Sequence, residues 1–249
     1  MKAMVLAAGL GTRLRPLTDD RPKALVEIGG RTLLEITLTR LRDFDVREVI
    51  VNVHHFADMV VEYLEANQDF GMRIEVSRED VLLDTGGGLK QAAWFFLEHR
   101  TERDQPFLLH NVDVLSTIDL AAMVRFHETN QALATLAVQE RRNSRQLLFD
   151  ENGLLCGRRF EREDRTELAR ASADVQALAF CGIHVISPRL LKMMTEEGAF
   201  SIIDAYLQIA TSGESLLAFR VDDSYWRDLG TVESLQQAAS DLQGGVFAK

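Results

Sequence analysis

The chain reads as an α/β fold, a mostly parallel mixed sheet with helices on both faces in a three-layer sandwich. Three observations predict it. An apolar opening run, Lys2 to Ala8, ends at a glycine turn, as a buried first strand does. Strand-like and helix-like patterns then alternate through the first half, the signature of βαβ units. The length of 249 residues suits one large α/β domain. A domain of that size buries roughly 70–75% of its unfolded surface.

After the first strand, Leu33 to Phe44 carries apolar residues at Leu34, Leu38 and Leu41, a helical stripe. Val49 to Val53 is a continuous apolar strand, Ala57 to Ala66 a second helix and Arg73 to Ser77 a short strand. Leu89 to His99 reads as a third helix that opens after three glycines. Phe107 to Leu109 leads a strand into Asn111-Val112-Asp113, Leu120 to Asn130 is a fourth helix, and Ala134 to Gln139 is another strand. Ligands on such sheets sit at the carboxyl ends of the strands. The glycine turn, His54 and Asp113 all fall at such ends.

The second half is less regular. Gln146 to Phe149 and Leu154 to Arg159 flank Asp150-Glu151-Asn152-Gly153, a hairpin signal. Phe160 to Asp174 is densely charged and reads as a solvated, mobile loop. Leu178 to Ile186 is a strand, Pro188 to Glu196 and Ile202 to Thr211 are helices, Ser215 to Val221 is a strand, and Val232 to Asp241 is a closing helix. No linker, repeat or low-complexity tract interrupts 1–249, so 1–140 and 141–249 read as two halves of one domain.

Composition narrows the partners. The formal net charge is −10 and no basic run of nucleic-acid type occurs, which argues against a polynucleotide. No apolar stretch reaches bilayer length, so no membrane partner is expected. Cys156 and Cys181 are too few for a disulfide framework, and no signal-peptide pattern precedes the first strand. A reduced, cytoplasmic protein, a monomer or small homo-oligomer, is the expectation.

The chemistry starts at the glycine turn. Gly9 and Gly11 free the backbone of Cβ atoms, so its N–H groups can approach an anion closely. Arg13 and Arg15 add guanidinium forks suited to phosphate, and Lys23 adds a point charge. Two familiar phosphate motifs fail here. A dinucleotide fingerprint would need its third glycine at Leu14, and no Gly-Lys-Ser or Gly-Lys-Thr completes a P-loop. Downstream, Asp84-Thr85-Gly86-Gly87-Gly88 precedes a helix, and consecutive glycines let main-chain groups reach the edge of a planar base. Asp113 ends a strand, and Asp228 lies in Trp226-Arg227-Asp228-Leu229-Gly230-Thr231. Two carboxylates plus phosphate oxygens are the hard ligands Mg²⁺ prefers. His54 and His55 point to opposite faces of a strand, which disfavours a metal pair. A polar role near the ligand and a structural hydrogen bond both remain open for them.

The segment LAAGLGTRLRPLTDDRPKALVEIGG, from Leu6 to Gly30, resembles the signature of the sugar-phosphate nucleotidyltransferases. The resemblance runs from Met1 to about Ala239 and implies a Rossmann-like, GT-A-like fold. It implies that a sugar 1-phosphate and an NTP give an NDP-sugar and pyrophosphate. Leu6, Ala8, Gly9, Gly11, Thr12, Arg13 and Lys23 would wrap the nucleotide, with Arg13 and Lys23 assisting pyrophosphate departure. Asp84, Thr85, Gly86, Gly87 and Asn111 would hold the nucleoside. Asp113 matches the aspartate of the family's N-G-D strand end and Asp228 the one in W-x-D-x-G-T; together they would hold Mg²⁺ beside the sugar phosphate. The family usually has glycine where this chain has Val112, which could shift a ribose or sugar contact. Gly182, in Phe180-Cys181-Gly182-Ile183, matches the acceptor strand. The family's Glu-Lys-Pro, whose lysine holds the sugar phosphate, has no counterpart; Arg158 or Arg159 stands in a comparable stretch. The glycine triplet resembles the uridylyltransferase branch, which points to UTP with N-acetylmuramic acid or N-acetylglucosamine 1-phosphate. The alternatives are a mannose- or heptose-1-phosphate guanylyltransferase and a non-catalytic nucleotide-sugar sensor.

Overall fold

The computed structural model describes residues 1–98, 105–172 and 174–244. In chain order its first half runs β1 (Lys2–Leu6), β2 (Glu27–Ile28), β3 (Arg31–Thr32), α1 (Leu33–Asp43), β4 (Glu48–Val53), α2 (Ala57–Ala66), β5 (Arg73–Arg78), α3 (Asp84–Gln91), α4 (Ala93–Leu97), β6 (Phe107–Asn111), β7 (Val114–Ser116), α5 (Leu120–Thr129) and β8 (Ala134–Gln139). The second half adds β9 (Arg145–Phe149), β10 (Leu155–Phe160), β11 (Arg165–Leu168), β12 (Gln176–Ile186), α6 (Arg189–Met193), α7 (Ile202–Thr211), β13 (Leu216–Arg220), β14 (Trp226–Asp228) and α8 (Val232–Gln243).

One mixed sheet crosses both halves in the order β11-β10-β9-β12-β6-β1-β4-β5, with β8 beside β12 and β13 beside β8. The stretch β6-β1-β4-β5 is parallel throughout. The long strand β12 runs antiparallel to β6, β8 and β9 and joins the two halves. Side-chain alternation divides the core between the sheet's faces. From β1, Ala3 and Val5 pack with α1, α2, α5 and α8, while Met4 packs with α3, α4, α6 and α7. This is the three-layer sandwich that the alternating pattern predicts. Among the described residues no helix is long and apolar enough to cross a membrane.

Three expectations change. The third helix opens earlier, at Asp84, and takes the glycines into its first turns before breaking at Ala92. Glycine is a poor helix former, so propensity placed the start after the triplet; packing overrides it, as described below. The expected end at His99 lies outside the described residues. The charged stretch 160–174 is not all loop, because Arg165–Leu168 forms β11 against β10. Its charge density encodes cross-strand pairs: Arg158 with Glu167 at 2.6 Å, and the Arg165 guanidinium 4.1 Å over the Phe160 ring. The helix expected over Pro188 to Glu196 shortens to Arg189–Met193.

Three buried histidines make stability depend on acid. His127 Nδ1 lies 3.0 Å from Thr135 Oγ1, and His184 Nδ1 lies 2.9 Å from the Tyr206 hydroxyl. Burial first, then the Arg189 charge, pushes His127 down to about 4; burial first, then His110, pushes His184 down to about 3. Both rings are neutral in the folded chain near pH 7, whereas an unfolded histidine titrates near its ordinary 6.5. Their contribution is therefore complete above that value and is lost as pH falls toward the folded values. His110, pushed down to about 3 by burial first and then by the Arg40 charge, acts in the same direction; by pH 6 the three should cost about 2–3 kcal/mol relative to pH 8, a fall in Tm of roughly 4–12 °C. Thermal melts from pH 8 to 5 check this, and His127→Gln should flatten the slope. A Tm unchanged over that range would overturn the assignment.

Candidate active site

Three parallel strands end side by side. The register pairs Leu6 with Asn52 on one flank and with Asn111 on the other, and the Val112 N–H donates to the Leu6 carbonyl at 3.1 Å. A cavity of about 580 Å³ opens over these ends. Its wall carries Leu6, Ala8 and Gly9 from the first loop, then Lys23, then Asp84 and Thr85, then Asn111 and Asp113. Val112 also borders it, but its side chain is only 4% exposed and belongs to the core on the α1 side. The branched side chain that replaces the family's glycine is thus accommodated inside the fold.

The predicted charges converge beside this cavity. Pro22 leads into a single helical turn, Lys23–Leu25, which sets the Lys23 ammonium in an ion pair with Asp113 Oδ2. Both side chains are largely shielded, with 10% and 18% exposure. Asp228 arrives from the far end of the chain because β14 pairs with β7, placing Asp228 opposite Val114. The Leu229 N–H then donates to the Asp113 carbonyl at 2.8 Å, and the Gly230 N–H to Asp228 Oδ1 at 2.7 Å. Gly230 has no room for a side chain, since a Cβ there would lie 2.5 Å from both Arg13 Nη2 and Asp228 Oδ1. Arg13 and Asp228 thus flank Gly230 from two sides, without pairing directly. Arg13 sits in the helical turn Thr12–Leu14, entered through Gly11 at φ +63°. Arg15, by contrast, is exposed and pairs with Asp19 at 3.4 Å.

Two cations thus interleave with two carboxylates at a strand end. The carboxylates are hard oxygen donors, Asp113 in the turn between β6 and β7 and Asp228 at the end of β14, a set that fits Mg²⁺ only if other oxygens complete it. Among the described residues no cluster of three or more His, Cys, Asp or Glu could hold a metal by itself. Substrate phosphate oxygens and water would be needed.

The glycine triplet turns out to serve packing. A Cβ on Gly86 would lie 2.4 Å from the Phe200 ring, on Gly87 2.4 Å from the Gly198 carbonyl, and on Gly88 2.7 Å from Glu79 Oε1. The N–H groups of Gly86 and Gly87 both go to the Phe200 carbonyl, at 2.9 and 3.3 Å. Those two donors are engaged within the protein, so they are not the groups that could reach a base edge. Asp84 and Thr85 are left on the cavity wall.

Asn52 and Glu79 form a buried relay that sequence reasoning passed over. Asn52 Oδ1 accepts from the Ala7 N–H at 2.8 Å, its amide donates to Glu79 Oε1 at 2.7 Å, and Glu79 Oε2 accepts from the Leu83 N–H at 2.9 Å. The relay ties the first loop to the loop ahead of α3. The only signal was a polar residue inside an apolar strand beside two histidines, which drew the attention instead. His54 makes a structural bond, Nδ1 to the Glu79 carbonyl at 2.8 Å.

Across the sheet, Gly182 sits at φ +73° in a bulge of β12, where a Cβ would meet Val114 Cγ2 at 2.8 Å and Asn111 Nδ2 at 2.9 Å. It therefore touches the strand end that carries Asp113. Arg158 is held elsewhere: its guanidinium pairs with both Glu167 and Asp204, at 2.6 and 2.5 Å. Arg159 follows it on β10 and points to the opposite face.

Comparison with known proteins gives a consistent picture. The family model for nucleotidyl transferase matches residues 2–244. The chain is 34% identical over 220 residues to the N-acetylmuramate alpha-1-phosphate uridylyltransferase of Caulobacter vibrioides, covering 85% of each protein. It is 28% identical over 247 residues to the mannose-1-phosphate guanylyltransferase of Mycobacterium tuberculosis, covering 98% of this chain and 65% of that one. The crystal structure of a UDP-glucose pyrophosphorylase complexed with UDP-glucose superposes with a TM-score of 0.76 at 16% identity, covering 98% of each chain. At that identity the likeness concerns the fold.

Proposed function

The chain belongs to the nucleotidyl transferase family, and from that premise we propose that it joins UTP to N-acetylmuramic acid or N-acetylglucosamine 1-phosphate, releasing pyrophosphate. The coarser activity, sugar-1-phosphate nucleotidyl transfer, follows from the family and the relatives. One observation carries the mechanism. Arg13, Lys23, Asp113 and Asp228, from separate parts of the chain, meet at the ends of β1 and β6 beside a cavity lined by the glycine loop.

The acceptor's own phosphate is the nucleophile. It is already largely deprotonated near neutral pH, so little general-base help is needed, and the protein contributes positioning and charge neutralisation. Arg13 and Lys23 would meet the leaving pyrophosphate of a triphosphate held on the glycine loop, where their charge would offset the negative charge that develops. Asp113 and Asp228 would hold Mg²⁺, which when bound neutralises the α-phosphate. Gly182, whose backbone packs closely against Asn111 and Val114, would bring bare main chain beside the sugar ring. Asp84 and Thr85, with Leu6 and Asn111, enclose the space for the nucleoside.

The uridine assignment is supported by the 34% identity to an N-acetylmuramate alpha-1-phosphate uridylyltransferase. A guanylyltransferase acting on mannose 1-phosphate is the second reading, since the mycobacterial relative aligns with 98% of the chain. Pyrophosphate release from a matrix of UTP, GTP, dTTP and CTP against N-acetylmuramic acid, N-acetylglucosamine, glucose and mannose 1-phosphates, each with Mg²⁺, separates them. UTP with an N-acetylated sugar should turn over fastest. A clear preference for GTP with mannose 1-phosphate would establish the second reading, and no pyrophosphate from any pair would overturn both.

A further inference from the structure

A transferase of this kind must hold the acceptor's phosphate beside the nucleotide, and the two arginines that sequence offered for it are badly placed. Arg158 already spends its charge on Glu167 and Asp204, and Arg159 faces the other side of its strand. A different cation stands at the acceptor side of the site. Arg141, two residues past β8, lays its guanidinium over the Trp226 ring with the central carbon 3.8 Å from the centroid. Its Nη2 donates to the Phe180 carbonyl at 2.8 Å. The Trp226 indole N–H donates to the next carbonyl, Cys181, at 2.7 Å. These two bonds fix the strand just before Gly182, where β12 bulges.

The direction of the guanidinium follows from strand geometry. Trp226 and Asp228 are two apart on β14, so they share a face. The ring that carries Arg141 therefore lies on the same side as the carboxylate beside Arg13. Arg141 also senses Asp228: burial lowers its pKa, and the neighbouring Cys181 and Asp228 oppose that fall.

One donor of the clamped guanidinium lacks a partner among the described residues of the protein. The Nε of Arg141 is buried and has no hydrogen-bond partner, and among the described residues Arg141 has no ion-pair partner. A buried guanidinium with an unmet donor is costly unless something supplies the missing charge. A planar fork clamped on an aromatic ring is preorganised for phosphate oxygens, where bidentate contact adds specificity.

We propose that Arg141 is the residue that receives the 1-phosphate of the sugar acceptor, standing in for the lysine this chain lacks. This rests on the transferase reading above. Trp226 holds the guanidinium plane, the Phe180 carbonyl holds one of its nitrogens, and the free donors take the phosphate next to Gly182 and the metal-site carboxylates.

The test compares Arg141→Gln and Arg141→Lys with the unaltered protein, using the NTP and sugar 1-phosphate that the matrix identifies. Steady-state rates are read by pyrophosphate release with each substrate varied in turn. In R141Q the KM for the sugar 1-phosphate should rise about 10- to 100-fold while the KM for the NTP changes less than about twofold. R141K, which keeps charge but not the planar fork, should fall between. Unaltered sugar-phosphate KM in both variants would overturn the proposal while leaving the transferase reading standing, and so would a shift confined to the NTP. If the unaltered protein turns over no pair, the transferase reading fails and the role of Arg141 with it. Should R141Q lose its thermal transition, the KM pattern of R141K decides, because it keeps the cation over Trp226.

Discussion

Replacing Asp113 by Asn should lower turnover by about a thousandfold or more while leaving the chain folded. The substitution keeps the shape of the side chain and removes its charge. Nothing in the fold depends on that charge except the pair with Lys23, because the backbone carbonyl of Asp113, not its carboxylate, accepts the Leu229 N–H that joins β7 to β14. An asparagine carbonyl can still accept from the Lys23 ammonium, so the lysine is not left wholly unpartnered. What disappears is one of the two carboxylates proposed to hold Mg²⁺. Asp228 alone, with one oxygen already taken by the Gly230 N–H, is a poor site for a divalent cation. Rates with saturating UTP, acceptor and Mg²⁺, alongside circular dichroism and a thermal melt, decide the matter. A folded D113N protein with turnover within about tenfold of the original would remove Asp113 from the metal site.

The parts of this site that were legible in the sequence share a property: each is announced by its own neighbours. Gly9, Gly11 and Arg13 lie within one loop, Lys23 follows Pro22, and Asp113 ends an apolar run, so local pattern was enough to place them. Helices with a clean apolar stripe behaved the same way, as Ile202–Thr211 and Ala57–Ala66 show. What local pattern could not show is who packs against whom across the chain. The packing role of the glycine triplet was hidden because Gly86 and Gly87 are crowded by Phe200 and Gly198, more than a hundred residues away. Arg158 looked free because Asp204, its second carboxylate, belongs to α7 on another part of the sheet.

The same limit explains Arg141 and the Asn52–Glu79 relay. An arginine after a strand is ordinarily a solvated one, and only Trp226, brought in by the β14–β7 pairing, turns this one into a clamped fork. Asn52 is one polar residue in the run Val49 to Val53, and its meaning depends on Glu79 standing at the end of the next strand. Long-range pairing thus converts ordinary residues into site residues, and it leaves their own neighbourhoods in the sequence unremarkable.

Replacing Lys23 by Ala should lower kcat by about 100- to 1,000-fold and change the KM for the sugar 1-phosphate much less. The argument turns on the ion pair. Lys23 and Asp113 are bound to each other at the edge of the cavity, and both are shielded from solvent. In the proposed reaction each has another partner: Asp113 the metal, Lys23 the phosphates of the leaving group. Arrival of Mg·NTP therefore exchanges one charge pair for two, and the ammonium swings from carboxylate to phosphate without travelling far. Removing the ammonium has two consequences of opposite sign. The leaving group loses a cation, which slows the chemical step. The metal loses a competitor for Asp113, so the Mg²⁺ concentration giving half-maximal rate should fall. No purely structural role for Lys23 predicts that pairing of a lower kcat with a lower Mg²⁺ requirement. Mg²⁺ titrations of K23A and the unaltered protein at saturating substrates measure both quantities together. A raised sugar-phosphate KM at near-normal kcat would instead move Lys23 to the acceptor side. A raised Mg²⁺ requirement would mean that the pair with Asp113 builds the metal site rather than guarding it.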